Sequence, residues 1–173
     1  MKLREVSPEV LVADEPIVAL SREEISDLKT RAMNSPRRRA RICAHKANSD
    51  AVHEMLIAAG KGCYIRPHKH LAKSESFHVL EGELEVVIFD EAGQVTKTIA
   101  LGGYDSGAGF FYRCDIPEFH TVLVRSEVAV FHETTRGPFN PDDNVLAPWS
   151  PDERDKEGVI AYLGNFDRSG EAS

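Results

Sequence analysis

Cysteine is scarce and poorly placed for cross-linking. The 173 residues contain three, Cys43, Cys63 and Cys114, widely spaced and with no C-x-x-C pair. A disulfide framework or a structural zinc finger is not expected from that pattern, and a reducing, cytoplasmic setting fits it. Long apolar runs are missing too. No stretch approaches the roughly 20 residues that cross a bilayer, and "EVLVADEPIVAL" is broken by Asp14, Glu15 and Pro16. The start of the chain lacks the hydrophobic region of a signal peptide, so no membrane partner is expected. Positive charge is in deficit, with 21 Lys and Arg against 28 Asp and Glu and a formal net charge of -7. Nucleic acid is therefore not expected as a partner. There is no internal repeat and no sign of a second domain.

What remains is an ordinary globular composition, with strands announced by glycine-punctuated short runs. Ser21 followed by Glu24 is a capping-box pattern, and Ile25, Leu28 and Ala32 then share a helical face. Asn34-Ser35-Pro36 stops that run, which predicts one short helix over about 22–33 within an N-terminal extension, residues 1–50, packing on a barrel. From residue 51 the pattern turns to strands: "AVHEMLIAA", "CYIRPHKH", "SESFHVL", "ELEVVIFD", "QVTKTIAL", "FFYRCDI", "HTVLV" and "VAVFHETT". Short strands between glycine turns point to an all-β domain over residues 51–136, a β-sandwich or a jelly roll. Residues 137–173 read as a Pro-rich C-terminal arm anchored by Phe139 and Trp149, with a frayed "SGEAS" tail.

Chemistry concentrates in "RPHKHLAKSE", residues 66–75. Residues two apart on a strand face the same way, so His68 and His70 look in one direction and can converge on one ion. After a short bend, Glu75 offers a carboxylate from the next strand. Tyr64 and Arg66 share the parity of the two histidines. A cavity arginine suits a carboxylate or phosphate, and the alternative is an ion pair at the barrel rim. His78 has the wrong parity relative to Glu75. In "FHETT" only one of His132 and Glu133 can face inward. Glu133, on the side of Phe131, is the candidate, either as a general base, as a group holding a ligand histidine, or as a strand-end salt bridge. Phe110, Phe111 and Tyr112 can line a water-poor pocket. Arg37, Arg38, Arg39 and Arg41 either pair with the chain's own carboxylates or hold an anionic ligand.

The spacing Gly62, His68, His70, Glu75, Gly82 matches the first motif of the cupin superfamily without a gap. The resemblance implies a small jelly-roll barrel in which His68, His70 and Glu75 bind a divalent metal, with a fourth ligand from a downstream histidine. His120 in "DIPEFHTVL" holds that place, although the turn from Pro117 lacks the family's glycine and is two residues shorter. "NSPRRRAR", the long run from Tyr64 to Val95, and "FHETTRGPFNPDDNVLAPWSP" together resemble the WbuC-type cupin-fold metalloproteins, which are associated with bacterial O-antigen gene clusters. Three imidazoles and a carboxylate suit one divalent transition ion, Fe, Mn, Ni or Zn, with room for exchangeable ligands.

Two functions follow as expectations. One is a metal-dependent enzyme acting on a small polar, oxygen-rich molecule, such as a sugar or sugar-nucleotide derivative. It would isomerise through an enediolate with Glu133 or Tyr64 as base, or dioxygenate, with Arg66, Phe111 and Tyr112 contacting substrate. The other is a non-catalytic metal-containing module that binds or senses a small ligand. A homodimer is expected from the exposed sheet edges of such barrels.

Overall fold

The architecture is that of a computed structural model, which describes residues 1–167. Two sheets face each other. The larger has seven strands: β1 (Leu3–Ser7), β2 (Val10–Ala13), β3 (Arg39–Cys43), β4 (Val52–Gly60), β11 (Val128–Arg136), β6 (Glu75–Glu81) and β9 (Phe111–Cys114), in that spatial order. The smaller runs β12 (Asn144–Leu146), β5 (His68–His70), β10 (Phe119–Val124), β7 (Glu83–Phe89) and β8 (Val95–Gly102). All pairings are antiparallel except β2 with β3. This is the expected all-β jelly roll.

Side-chain parity builds the interior. Phe77, Val79, Ala129 and Phe131 of the larger sheet meet Leu84, Val86, Ile88, Val122 and Val124 of the smaller in one cluster. Each fully buried side chain of this size stabilises the fold by about 1.5–3 kcal/mol. The sheets' outer faces are covered as well. Helix α1 (Arg22–Asn34) lays Leu28 and Ala32 on Ala40, Ile42, Ala58 and Val130. Its capping box forms: the Ser21 amide donates to Glu24 Oε2 at 2.8 Å, and Ser21 Oγ accepts from the Glu23 amide. The helix ends where Pro36 forbids it, with the Ser35 amide donating to the Ala32 carbonyl.

The extension is more than a helix, because β1, β2 and β3 join the larger sheet before residue 51. The arm likewise contains a second helix that the sequence reading did not find, α2 (Lys156–Gly164), started by Asp155, whose carboxylate accepts from the Gly158 amide at 2.9 Å. The arm roofs the smaller sheet: Val87, Phe89, Phe119, Leu123 and Ala147 form a cluster with Trp149, Leu163 and Phe166. That cover explains why every residue of β10 is buried. Trp149 stacks near Phe89 and Phe119, with ring centroids 4.9 and 5.8 Å away. It also lies over the β7–β8 turn at Gly93, whose φ of +86° suits glycine, and a Cβ there would meet the indole at 2.7 Å. Phe139 does not anchor the arm; it is 51% exposed. The "SGEAS" tail lies outside the described residues.

No helix among the described residues is long and apolar enough to cross a membrane.

Candidate metal centre

His68 and His70 occupy β5, a three-residue strand held between β12 and β10. His120 on β10 is the direct register partner of His68. It shares its inner face with Val122 and Val124, so the shortened turn from Pro117 still delivers an inward imidazole. Leu71 to Ser74 then crosses to the other sheet, where Glu75 opens β6 opposite Thr135 and Cys114. The four residues offer ligand atoms that all lie within 4.8 Å of one another.

The hydrogen bonds around the cluster set its chemistry. His68 Nδ1 lies 2.9 Å from the Arg66 carbonyl and His120 Nδ1 lies 3.0 Å from the Glu118 carbonyl. A carbonyl only accepts, so both Nδ1 atoms carry the proton and both Nε2 lone pairs turn inward. This is how second partners orient metal-ligating histidines. Glu75 is 4% exposed and His120 2%. Nε2 of His120 sits 2.7 Å from Glu75 Oε1, yet neither atom makes a hydrogen bond of acceptable geometry, and His70 Nδ1 is also buried without a partner. His70 Nε2 and Glu75 Oε2 are 3.1 Å apart. Buried polar atoms left this way are costly unless something satisfies them. Glu75 Oε1 and His120 Nε2 face each other among the four ligand atoms, and three nitrogens with one oxygen form a donor set suited to a divalent transition ion.

Charge agrees with that fit. Burial, followed by the neighbouring His120, pulls His68 down to about 4, so it is neutral at pH 7. For Glu75, burial pushes upward, but the imidazoles of His120 and His70 outweigh it and hold the carboxyl well below its usual range. No Lys or Arg pairs with this carboxylate among the described residues. A bound cation would supply the compensation that a buried carboxylate needs.

Glu133 faces inward, as parity predicts, next to Phe77 on one side and Met55 on the other. Burial first, then the charge of Glu75, pushes its carboxyl up to about 8. His132 points outward to a cleft beside α1, with Nε2 3.8 Å from Glu54 Oε1. Tyr112 is on the inner face, its ring 5.4 Å from that of Phe77 and its hydroxyl buried without a partner. Phe111 takes the opposite face and is 56% exposed, so it does not line the interior. His78 also faces outward and lies near Phe110.

Tyr64 and Arg66 are not brought to the cluster. Residues 63–67 are outside any strand, so strand parity does not carry back from His68. The Tyr64 hydroxyl donates to the Pro151 carbonyl at 2.9 Å. Arg66 donates to Ser150 Oγ, the Ser150 carbonyl and Asp152 at 3.1, 3.3 and 3.2 Å. Both clamp the arm. Three of the clustered arginines pair with the chain's own carboxylates: Arg37 and Arg39 share Glu153, and Arg38 reaches Glu127. Two groups near the centre were not singled out from sequence. His53 is buried, in the row of Thr135 and Glu75, and stacks on His45 with centroids 4.1 Å apart. Lys73 precedes Glu75 in the connecting loop. Neither stands in a recognisable spacing motif.

Two facing sheets and an inward three-histidine, one-glutamate group together give a jelly-roll barrel with a candidate metal centre. The model of a family described as a domain of unknown function (DUF6016) matches residues 20–101, which takes in His68, His70 and Glu75 and stops short of His120 and Glu133. No curated protein matches the chain. Similar solved structures include a recombinant oxalate oxidase in complex with glycolate, at 16% identity and a TM-score of 0.49, covering 68% of this chain and 59% of that one. An uncharacterized conserved protein with a double-stranded β-helix domain from Klebsiella pneumoniae subsp. pneumoniae is 20% identical, with a TM-score of 0.48 and coverages of 63% and 79%. A sugar phosphate isomerase from a cupin superfamily, from Silicibacter pomeroyi, is 19% identical, with a TM-score of 0.45 and coverages of 61% and 62%. At these values the similarities say nothing of this chain's activity.

Proposed function

We propose that the chain is a metal-dependent enzyme acting on a small polar, oxygen-rich molecule, with His68, His70, Glu75 and His120 as ligands to one divalent transition ion. The observation that carries this reading is the pair formed by the unsatisfied donor cluster and Glu133, a further carboxyl on the same inner face that the cluster does not need. When bound, such an ion supplies Lewis acidity and, if redox-active, dioxygen chemistry. Without an ion, burial and the charge of Glu75 hold the Glu133 carboxyl up to about 8, and a bound cation would lower it from there, a range in which a carboxyl can give up or take back a proton. Tyr112 offers an unpartnered hydroxyl nearby. Tyr64 is engaged by Pro151, which leaves Glu133 as the proton carrier for isomerisation, while dioxygenation would need little besides the ion and a water-poor pocket. The resemblance to WbuC-type proteins supports a sugar or sugar-nucleotide derivative as substrate, and a cytoplasmic homodimer completes the reading.

The test is metal analysis of anaerobically purified protein, followed by turnover screening with sugars and sugar nucleotides. About one transition ion per chain is expected, lost in His68→Ala/His70→Ala, with turnover abolished in Glu133→Gln while metal is retained. A metal-free wild type ends the proposal. Metal and ligand binding without turnover would make the chain a binding module instead.

A further inference from the structure

Two stretches of the barrel's outer surface are covered. Helix α1 lies over Ala40, Ile42, Ala58 and Val130, on β3, β4 and β11, and the arm roofs the smaller sheet. The outer side of β6 and β9, at one end of the larger sheet, carries apolar side chains instead. Leu80, Tyr104, Phe110 and Phe111 are between 38% and 75% exposed. Phe111 is the register partner of His78 on β6, and the Phe110 ring lies 5.6 Å from that of His78 and 5.2 Å from that of Tyr104. A group of exposed aromatics of this kind marks an interaction surface.

The same place is a sheet edge. β9 pairs with β6 and, among the described residues, has no strand on its other side. The Val79 amide donates to the Phe110 carbonyl at 2.9 Å. In the alternation of an antiparallel ladder, Phe110, Tyr112 and Cys114 therefore turn their amides and carbonyls to β6, and Phe111 and Arg113 turn theirs outward. Outward groups of this sort are a template for another strand.

We propose that a second copy of this chain binds here, β9 pairing antiparallel with its counterpart so that the two larger sheets run on as one. The inference rests on the homodimer of the functional reading above and names its surface. Self-complementarity selects the occupant. A two-fold axis through Tyr112 sets Phe111 opposite the partner's Arg113, and Arg113 opposite the partner's Phe111. These are the residues with outward backbone groups, so every outward amide and carbonyl of the two strands finds a partner. Opposed residues share a face, so each guanidinium meets an aromatic ring. The ion pair of Arg113 with Asp115, 3.4 Å long, engages one edge of the guanidinium and leaves its face to that ring. An axis through Arg113 would instead oppose two like charges. The strand thus carries its own complement, as a closed two-fold contact requires. Aromatic side chains hide about 150–250 Å² each when fully buried. At the exposures above, the four apolar side chains offer on the order of 400 Å² per copy, about half of the roughly 800 Å² per partner in a standard interface before the strands are counted.

The experiment is sedimentation velocity of the full chain over a range of concentrations. Wild type, Phe111→Lys, the double variant Phe111→Lys/Arg113→Glu and the control Ile160→Lys are compared, with melting curves to show that each is folded. Ile160 is exposed on α2, which belongs to the roof of the other sheet. The wild type is expected to sediment as a dimer of 19.2 kDa chains. Phe111→Lys should weaken that dimer at least about tenfold, because a second positive charge then faces the partner's Arg113. The double variant turns that repulsion into attraction and should recover most of the loss, and Ile160→Lys should change nothing. If Phe111→Lys does not fold, amide exchange of the wild type decides. Protection of the Phe111 and Arg113 amides should rise with concentration, and exchange that ignores concentration overturns the proposal. A wild type that is monomeric throughout overturns this surface and the homodimer together, and leaves the patch to a different protein. A dimer that Phe111→Lys leaves intact, or that Ile160→Lys weakens equally, overturns the surface alone. Loss in Phe111→Lys without recovery in the double variant overturns the strand pairing. Metal content, measured alongside, reports on the enzyme reading separately.

Discussion

Glu75 and His120 approach to 2.7 Å from opposite sheets, and the atoms that meet are not hydrogen-bonded. The contact spans the barrel: Glu75 starts β6 of the larger sheet, and His120 lies in β10 of the smaller. Two buried acceptors so close together are mutually unfavourable until a cation or proton lies between them. His120→Ala should therefore lower metal affinity at least about tenfold, since losing even an outer partner of a ligand costs about that much. Competition titration with a chelator measures this, and unchanged affinity would remove His120 from the ligand set.

Glu133 gives a pH signature. Its carboxyl keeps its proton in the folded chain up to about 8, whereas the ordinary value is 4.5. Between those values the folded state binds the extra proton, so the stability it contributes is complete below about 4.5 and lost as pH rises through 8. Glu133→Gln removes that dependence. In metal-free protein the variant should come close to wild type near pH 5 and exceed it at pH 8.5, with the gap in Tm widening as pH rises between those values. Parallel melting curves at both pH values would show that the carboxyl is not held protonated.

Arg66 has a structural role, and its substitution separates clamp from substrate contact. Arg66→Ala deletes three hydrogen bonds to the arm and should cost about 1–2 kcal/mol while leaving metal content unchanged. Chemical denaturation with parallel metal analysis checks both halves. Loss of metal without loss of stability would place the side chain at the centre after all.

Trp149 holds the arm on the smaller sheet. Trp149→Ala should destabilise by about 2–4 kcal/mol, because a large ring packed on Phe89 and Phe119 leaves a gap that the turn at Gly93 cannot close. Trp149→Phe should recover part of the loss. Circular-dichroism melts provide the readout, and an Ala variant within 0.5 kcal/mol of wild type, roughly the scatter of surface substitutions, would show that the arm is held elsewhere.

Much of the barrel was legible because its signals are local. The Ser21–Glu24 cap and the Pro36 stop fix α1, and alternation along "SESFHVL" and "FHETT" sets the directions of Glu75, His78, Glu133 and His132. Other features depend on partners remote in sequence. Strands β1 to β3 are short and depend on a chain of pairings, β3 on β4, β2 on β3 and β1 on β2. Helix α2 carries Gly158 near its start and follows a Pro- and Asp-rich stretch, and it is held by Leu163 and Phe166 on the covered sheet, with Tyr162 against the rings of Phe166 and Tyr64. Tyr64 and Arg66 read as site residues because strand parity was extended through Pro67, where the chain is not a strand.

The strand that carries His68 and His70 has only three residues. Its neighbours are β10, through the single His120–His68 pair, and β12, through three. During synthesis the ribosome has made both histidines some 70 residues before Asn144 to Leu146 become available to hold them in line. The two imidazoles are thus held in line chiefly by a strand that lies outside the main barrel strands and far downstream of them in sequence.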